Sequence, residues 1–340
     1  MEDFNMEINQ QIHNQATWFT LTNDHNVSVI ISDFGATVVA INTPDKNGHV
    51  ANITLGFMHS HSYLQHHDYF GATVARVAGR LANASWQGHQ LDINSTPNHM
   101  HGGEHPSLSY THWNLIKLIK TDSQIGVVLR YISPAGENGY PGRLSISAMF
   151  VLDQKNKFTI TYFGNTSETT LFNPTTHIYF NLSGNAHAVV DNHEIRINAD
   201  TIAETDANKL PTGKFLSVAD MPYDFRQPQN LGLALSKLPN GLDTPFKLNP
   251  QSSLQPQLSL KDPESGRKLG IHTNANSFIV FSTTGFEGDF LVDGTRKMTS
   301  QLGLAIEPQM LPDAPNHPNF GNIVITPDNP MIYQTAYTLN

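Results

Sequence analysis

The sequence contains no cysteine, which excludes disulfide bonds and thiolate metal sites. Charged residues make up only 14% of its 340 residues, and they give a net charge of −9 without any run of Lys or Arg. Nucleic acids and anionic membranes attract basic patches, so neither is an expected partner. No apolar run approaches the length of about 18 residues that a membrane-spanning helix needs, and the first residues lack an apolar signal segment. We therefore expect a cytoplasmic protein.

Much of the polarity comes from Asn, Gln, Ser, Thr and His, which are weak helix formers. Short apolar or alternating segments recur along the chain with turn residues between them, and this pattern predicts strands joined by hairpin loops. The predicted fold class is therefore all-β, a large antiparallel β-sandwich. The predicted strands cover residues 27–31, 38–41, 113–119, 125–132, 144–152, 158–163, 194–197, 278–281 and 323–325.

We predict a single domain over residues 1–340, because all-β architectures often exceed the average domain size. No low-complexity linker divides the chain. The segment 227–257 is rich in Pro, Asn and Gln and is interpreted as long loops. Strand-like segments resume after it without a change in composition.

The stretch LAIEPQMLPDAPNHPNF (304–320) places a carboxylate at the end of an apolar strand. Leu304 and Ile306 would share one face of that strand, and Gly303, Ala305 and Glu307 the other. The small residues leave room beside Glu307, and the prolines that follow stiffen the next loop. Glu307 is therefore a candidate catalytic carboxylate, with a solvent-exposed strand-end charge as the alternative.

The stretch NPTTHIYFNLSG (173–184) alternates in the same way. Ile178 and Phe180 would face the core, while His177 and Tyr179 would face the other side. The second face could bind a polar ligand, with His177 titrating near neutral pH. An ordinary solvated sheet face is the alternative.

Two further stretches hold candidate binding residues. In HMHGGEHP (99–106), His101 precedes paired glycines, which allow the backbone to approach a ligand closely. In DYFGATVARVAGRLANASW (68–86), Arg76 could donate a fork of hydrogen bonds to sugar hydroxyls or to a carboxylate. A surface ion pair is the alternative for Arg76. The glycines of this stretch do not form a dinucleotide-binding turn.

Metal binding has to be considered because the chain has 17 histidines. The segment HSHSYLQHHD (59–68) contains an HxH pair, but the sequence has no HExxH motif and no cysteine partner. We predict no metal site and interpret these histidines as surface residues.

Seven stretches, in order along nearly the whole chain, resemble those of the aldose 1-epimerase (galactose mutarotase) family. FGATVARVAGRLANASW resembles the family's GAxxGRxANRI, HMHGG its LHGG, GENGYPGRLSISAMFVL its GEEGYPGNL, and NPTTHIYFNLSG its NLTNHxYFNL. KLPTGKFLSV followed by PYDFR resembles IPTG and PFDFR, GLDTPF resembles GxDHxF, and EPQMLPDAPNHPNF resembles ExQxxPDxPNxPxF. Each match is moderately specific, and the shared order makes the whole resemblance specific.

The resemblance implies a β-sandwich with an open sugar-binding cleft. It also implies an enzyme that interconverts the α and β anomers of free aldoses such as galactose and glucose, with maltose as a further candidate. Glu307 matches the family's general base and His177 its general acid. His101, Arg76 and Asp243 match residues that hold the sugar. No cofactor is implied.

The implied chemistry needs two groups of complementary protonation near neutral pH. One removes the proton of the anomeric hydroxyl, and the other protonates the ring oxygen. An ordinary histidine pKa is low for an acid in the cytoplasm. We therefore expect nearby carboxylates such as Glu307 to raise the pKa of His177.

The sequence departs from the family pattern at Thr176, where Asn is usual, at Thr244, where His is usual, and at Gly79, where Asn is usual. These departures leave the sugar preference open. Two other functions also stay open. One is a glycoside hydrolase with Glu307 and Asp243 as paired carboxylates, and the other is a carbohydrate-binding β-sandwich without catalysis. The expected partner is a small sugar, and the oligomeric state, monomer or homodimer, is open.

Overall fold

A computed structural model of the protein describes residues 6–104, 107–250 and 254–340. The segments 99–106 and 227–257 therefore lie partly outside the described residues. Among the helices of the described ranges, none is both long enough and apolar enough to cross a membrane.

The described residues form many short strands and few helices. The strands are β1 (Glu7–His13), β2 (Ala16–Thr22), β3 (Ser28–Ser32), β4 (Thr37–Pro44), β5 (Val50–Asn52), β6 (Thr73–Val74), β7 (Arg80–Leu81), β8 (Ser85–Trp86), β9 (His89–Gln90), β10 (His99–Met100), β11 (Asn114–Lys120), β12 (Gln124–Ser133), β13 (Leu144–Asp153), β14 (Lys157–Thr166), β15 (Thr170–Leu171), β16 (Thr175–Thr176), β17 (Ile178–Phe180), β18 (Glu194–Ile197), β19 (Thr201–Thr205), β20 (Pro211–Ser217), β21 (Gln229–Asn230), β22 (Asp243–Lys247), β23 (Leu258–Lys261), β24 (Lys268–Thr273), β25 (Ser277–Phe281), β26 (Leu291–Val292), β27 (Arg296–Lys297), β28 (Leu304–Gln309), β29 (Val324–Ile325) and β30 (Met331–Leu339). The α-helices are α1 (Ser60–Gln65) and α2 (Leu231–Leu235), and 3₁₀ turns cover Ala82–Ala84, Leu108–Tyr110, Glu137–Gly139, Val190–Asn192, Ala314–Asn316 and Pro318–Phe320.

Three antiparallel sheets make the framework. The N-terminal sheet has the order β1-β2-β3-β4-β5, and the nine-stranded sheet has the order β11-β12-β13-β14-β30-β24-β23-β18-β21. The six-stranded sheet has the order β17-β28-β25-β22-β19-β20. Other short strands form two-stranded pairs. The predicted all-β, antiparallel fold is confirmed.

The main core lies between the inward faces of these sheets. Strand β13 alternates regularly between buried and half-buried residues, which places Ile146 and Phe150 on its inner face. They belong to one hydrophobic cluster with Phe180 and Ile306 of the six-stranded sheet and Val29 of the N-terminal sheet. Full burial of such a side chain stabilises the fold by about 1.5–3 kcal/mol.

The alternation predicted around Glu307 is confirmed. Leu304 and Ile306 belong to the main core, whereas Ala305 packs with Tyr179 in a second hydrophobic cluster on the opposite side. The six-stranded sheet therefore has one face in the main core and another that can carry polar groups.

All nine predicted strands are present, with ends that differ by a few residues. The interpretation of 227–257 as loops is wrong in part, because this segment contains α2 and β22, an interior strand of the six-stranded sheet. Pro245 concealed β22, since proline is disfavoured inside a sheet. It is tolerated because β19 pairs only with Phe246 and Lys247, so Pro245 lies beyond the end of that pairing.

Gly71 connects the N-terminal sheet to the strand start that carries His177. Its N–H donates to the carbonyl of His177 at 2.9 Å, and its carbonyl accepts from the N–H of Val38 at 2.8 Å. Its φ is +64°, and a Cβ at this position would lie 1.9 Å from the Val38 oxygen. Only glycine combines this backbone conformation with so close an approach.

We expect Gly71→Ala to lower the free energy of unfolding by at least about 3 kcal/mol, because it adds a backbone clash to the cost of a positive φ. Gly48→Ala is the matched control, since Gly48 has a φ of +86° but a Cβ added there would meet no atom within 4 Å. It should lose only about 1–2 kcal/mol. Urea unfolding measures both, and equal losses would contradict the steric argument.

Candidate active site

The pairing of β17 with β28 brings His177 and Glu307 side by side. Ile178 is opposite Ile306 in this register, so the residues next to them, His177 and Glu307, share the outer face. The Nε2 atom of His177 lies 3.4 Å from Oε1 of Glu307. Both residues are buried, with exposed fractions of 5% and 4%. The two candidates chosen from separate stretches of sequence form one contact.

This pair lies in the wall of a cavity of about 340 Å³, the catalytic cavity. Its volume is typical of small-molecule sites. Asp243 enters it from the first residue of β22, opposite Phe281 on β25. The remaining lining residues are polar or aromatic apart from Met100: His67, Asp68, Tyr69, Arg80, Met100, His101, Tyr179 and Phe286.

His101 is oriented by a backbone hydrogen bond. The N–H of Gly79 donates to Nδ1 of His101 at 3.2 Å. Because Nδ1 accepts, a neutral ring carries its proton on Nε2 and can donate it. The prediction that His101 holds a ligand stays a prediction, and its tautomer suits a hydroxyl oxygen.

His101, His177 and Glu307 each have a potential metal-ligating atom, and these atoms lie within 4.8 Å of one another. A metal-ligating histidine usually donates its other ring N–H to an acceptor. His101 does the opposite, since its Nδ1 accepts from Gly79. The donor set therefore fits a hydrogen-bonding site better than a metal centre.

Burial controls the protonation of the pair. It raises the pKa of Glu307 to about 8, with the charge of Asp243 acting in the same direction and Arg80 opposing it. It lowers the pKa of His177 to about 4. At neutral pH without ligand, the carboxyl of Glu307 therefore holds the proton and the ring of His177 is neutral.

The expectation that carboxylates raise the pKa of His177 is contradicted. Desolvation of the buried ring is the largest effect on this pKa, and it disfavours the charged form. The Glu307 carboxyl beside it cannot offset this, because burial keeps that carboxyl protonated and uncharged as well.

Two tyrosine rings pack against His177. Tyr69 stacks on His177 with ring centroids 5.9 Å apart, and Tyr179 lies 4.8 Å from the same ring. The hydroxyl of Tyr179 donates to the carbonyl of Asp68 at 2.9 Å. Burial raises the pKa of Tyr69 to about 12, so its phenol stays protonated. These rings keep water from His177 on one side.

Arg76 does not reach the catalytic cavity, which corrects the prediction that it binds the ligand. Its guanidinium is buried and donates to the hydroxyl of Ser133 and to the carbonyls of Pro134, Pro141 and Gly142, at 2.8–3.0 Å. With its donors used in this way, Arg76 holds its own loop, between β6 and β7, against the loop between β12 and β13.

Arg80 occupies the position that was predicted for Arg76. It is half-buried and lines the catalytic cavity together with His101 and Glu307. A signal was available in the sequence, since Arg80 matches the Arg of ANRI in the family pattern, directly after Gly79, where Asn is usual. A second missed residue is Lys209, whose Nζ lies 3.5 Å from Oδ2 of Asp243. Lys209 begins the stretch KLPTGKFLSV, but the family's IPTG pattern does not include its position.

Arg76→Lys should lower the free energy of unfolding by about 3 kcal/mol or more. An ammonium cannot reproduce the fork of donors, and each buried carbonyl left without a partner costs about 1–3 kcal/mol. Arg80→Lys is the matched control and should change stability by less than about 0.5 kcal/mol, since Arg80 is partly exposed. Chemical denaturation of both variants tests this, and a stable Arg76→Lys protein would refute the structural role.

Comparison with known proteins shows the family to which this chain belongs. The model of the aldose 1-epimerase family matches residues 18–338. The galactose mutarotase of Bos taurus is 34% identical over 320 residues, covering 91% of this chain and 90% of that protein. The maltose epimerase of Levilactobacillus brevis is 28% identical over 338 residues, covering 97% and 96%. The crystal structure of galactose 1-epimerase from Lactobacillus acidophilus superimposes with a TM-score of 0.86 at 26% identity, covering 99% of each chain. The chain therefore belongs to the aldose 1-epimerase family, whose named members are carbohydrate epimerases.

Proposed function

We propose that the protein catalyses the interconversion of the α and β anomers of free aldoses, with Glu307 and His177 as the acid–base pair. The observation that supports this most directly is the buried contact of 3.4 Å between a carboxyl and an imidazole in the wall of a cavity. Arg80, His101 and Asp243 line the same cavity and offer hydrogen bonds to sugar hydroxyls.

The reaction needs one proton to leave the anomeric hydroxyl and one to reach the ring oxygen. In our proposal, sugar hydroxyls and Arg80 stabilise the carboxylate of Glu307 when the substrate binds. The proton of Glu307 then passes to His177 across their contact. His177 protonates the ring oxygen while Glu307 takes the anomeric proton, and the ring opens. After rotation about C1–C2, the same steps in reverse close the ring on its other face.

The pair carries one proton both before and after this transfer. The site therefore needs no proton from solvent during ring opening and can remain dry. This explains how two groups whose pKa values are shifted in unfavourable directions in the ligand-free state can still work near neutral pH. The transfer is between neighbours and leaves the total charge of the pair unchanged.

For the substrate, we propose neutral hexoses such as galactose and glucose, with maltose to be tested beside them. Two departures from the family pattern do not line the catalytic cavity. Thr176 is buried and bonds the hydroxyl of Tyr162 at 2.6 Å, and Thr244 lies outside the lining. The expectations of a single domain and a cytoplasmic location stay predictions, and the choice between monomer and homodimer stays open.

Glu307→Gln should lower the mutarotation rate of fresh α-galactose by about 10²-fold or more, because a positioned acid–base group contributes about 10²–10⁴-fold. Glu287→Gln, an exposed residue, is the matched control and should keep the parent rate. Polarimetry measures the rate, and a reducing-end assay on oligosaccharides runs in parallel. New reducing ends would indicate a hydrolase, and sugar binding without any acceleration would indicate a binding module.

The pH profile of kcat/KM should be bell-shaped, with limbs near about 4 and about 8 that belong to the pair rather than to single residues. Below the acid limb His177 is also protonated, so the pair holds two protons and lacks a base. Above the alkaline limb Glu307 loses its proton, so the pair holds none and lacks an acid. Nitrogen-15 NMR of the ligand-free protein should show a neutral His177 ring at a pH of about 6, above the acid limb. An imidazolium at that pH would contradict this assignment, as would an alkaline limb near the ordinary histidine pKa of about 6.5.

A further inference from the structure

A second cavity lies on the face of the N-terminal sheet that is turned away from the main core. Its volume is about 320 Å³, close to the value of about 340 Å³ for the catalytic cavity. Trp18 on β2 and Asn42 on β4 contribute from the sheet, and Asn185 contributes from a loop. Asp293 and Thr295 contribute from the hairpin of β26 and β27. We name it the distal cavity.

Two buried polar atoms of this lining have no hydrogen-bond partner among the described residues: Nε1 of Trp18 and Oδ2 of Asp293. One is a donor and the other a carboxyl oxygen. A buried polar group without a partner costs about 1–3 kcal/mol, and such groups are rare in folded proteins. Both atoms are covered by protein in the ligand-free molecule, so a ligand in the cavity pairs with them only if the indole or the carboxyl rotates toward it.

Asparagine side chains near these atoms are fixed by hydrogen bonds, but some of their amide atoms have no bond. Asn52 donates from Nδ2 to Oδ1 of Asp293 at 3.1 Å, and its backbone N–H donates to Oδ1 of Asn185 at 3.0 Å. Asn42 donates from Nδ2 to the hydroxyl of Ser28 at 3.0 Å. These bonds fix the amide planes and leave the Asn185 amino group and the Asn42 carbonyl available.

The charge of the distal cavity favours an uncharged ligand. Its lining includes neither Lys nor Arg, so an anion would find no counter-charge there. Burial raises the pKa of Asp293 to about 7, with bonds from Asn52 and Gly56 opposing the shift. A large share of the protein therefore holds this carboxyl uncharged near neutral pH, when it can both donate and accept.

We propose that the distal cavity is a second ligand site, which binds a neutral polyhydroxylated molecule of hexose size. Apolar contacts come from Trp18, Phe57 and Met58, and hydroxyl contacts come from the amides and Asp293. Small-molecule sites are usually lined by apolar side chains together with a few polar groups that orient the ligand. The proposal does not depend on catalysis, because it concerns binding at a separate cavity.

Tryptophan fluorescence can report on this cavity selectively. The chain has three tryptophans, and Trp18 is the one that lines the distal cavity, whereas Trp113 lies in the main core and Trp86 in another cluster. None of them lines the catalytic cavity. The two cavities are separated by packed rings, including Phe57, Phe70 and Phe286.

The experiment titrates the whole protein with D-galactose, D-glucose and myo-inositol while its fluorescence is recorded. Myo-inositol is a useful probe because it has no anomeric carbon and cannot be turned over. We expect a saturable change with at least one probe, with Kd in the millimolar range, and we expect Trp18→Phe to abolish the signal. Asp293→Ala and Asn185→Ala should weaken binding by about five- to tenfold, the effect of one lost hydrogen bond.

Three controls keep this test decisive. Asp289→Ala removes a fully exposed carboxylate just before the same hairpin and should leave binding unchanged. Arg80→Met alters the catalytic cavity and should leave the fluorescence change unchanged. Asp293→Asn retains the shape if Asp293→Ala does not fold. The proposal is overturned if no probe gives a saturable change, if the Asp293 and Asn185 variants bind as the parent does, or if Arg80→Met alone abolishes the signal. Loss of mutarotase activity would not affect any of these outcomes.

Discussion

The joint removal of a carboxyl and an imidazole from water is the constraint on which the candidate site depends. An isolated buried charge costs several kcal/mol, so two ionisable groups at exposed fractions of 4% and 5% cannot both behave as they would in solution. Burial raises the pKa of Glu307 and lowers the pKa of His177. The pair therefore holds one proton at neutral pH, and neither group is charged. Tyr69 and Tyr179 contribute to this dry environment because their rings cover one side of His177.

The framework turns that constraint into geometry. A sheet register is specified to the residue, since a slip by one would turn Glu307 into the core and Ile306 into the cavity. Two interactions outside the sheet hold the neighbouring segments: the bonds of Gly71 to Val38 and His177, and the fork of Arg76 to three loop carbonyls. The latter keeps the backbone near Arg80 in place without touching the cavity.

Sequence periodicity was sufficient for much of the fold and for part of the site. The alternation around Glu307 and His177 identified the correct faces, because one side of each strand is strongly apolar. It could not show that the guanidinium of Arg76 donates its hydrogen bonds to carbonyls about 60 positions later in the chain. Hydrogen-bond partners that are distant in sequence leave no local pattern. The direction of the His177 pKa shift was missed for a related reason. Proximity to a carboxylate can be inferred from motifs, but the degree of burial depends on packing by Tyr69 and Tyr179.

The position of β30 has a consequence for synthesis of the chain. This strand pairs with β14 on one side and β24 on the other, so it joins the two halves of the nine-stranded sheet. Until residues 331–339 have left the ribosome, β14 and β24 each present an open edge, and such edges can pair with other chains. Contacts this distant in sequence also form slowly. The nascent chain therefore holds an incomplete sheet from the synthesis of β14 until that of β30, and chaperones protect such states.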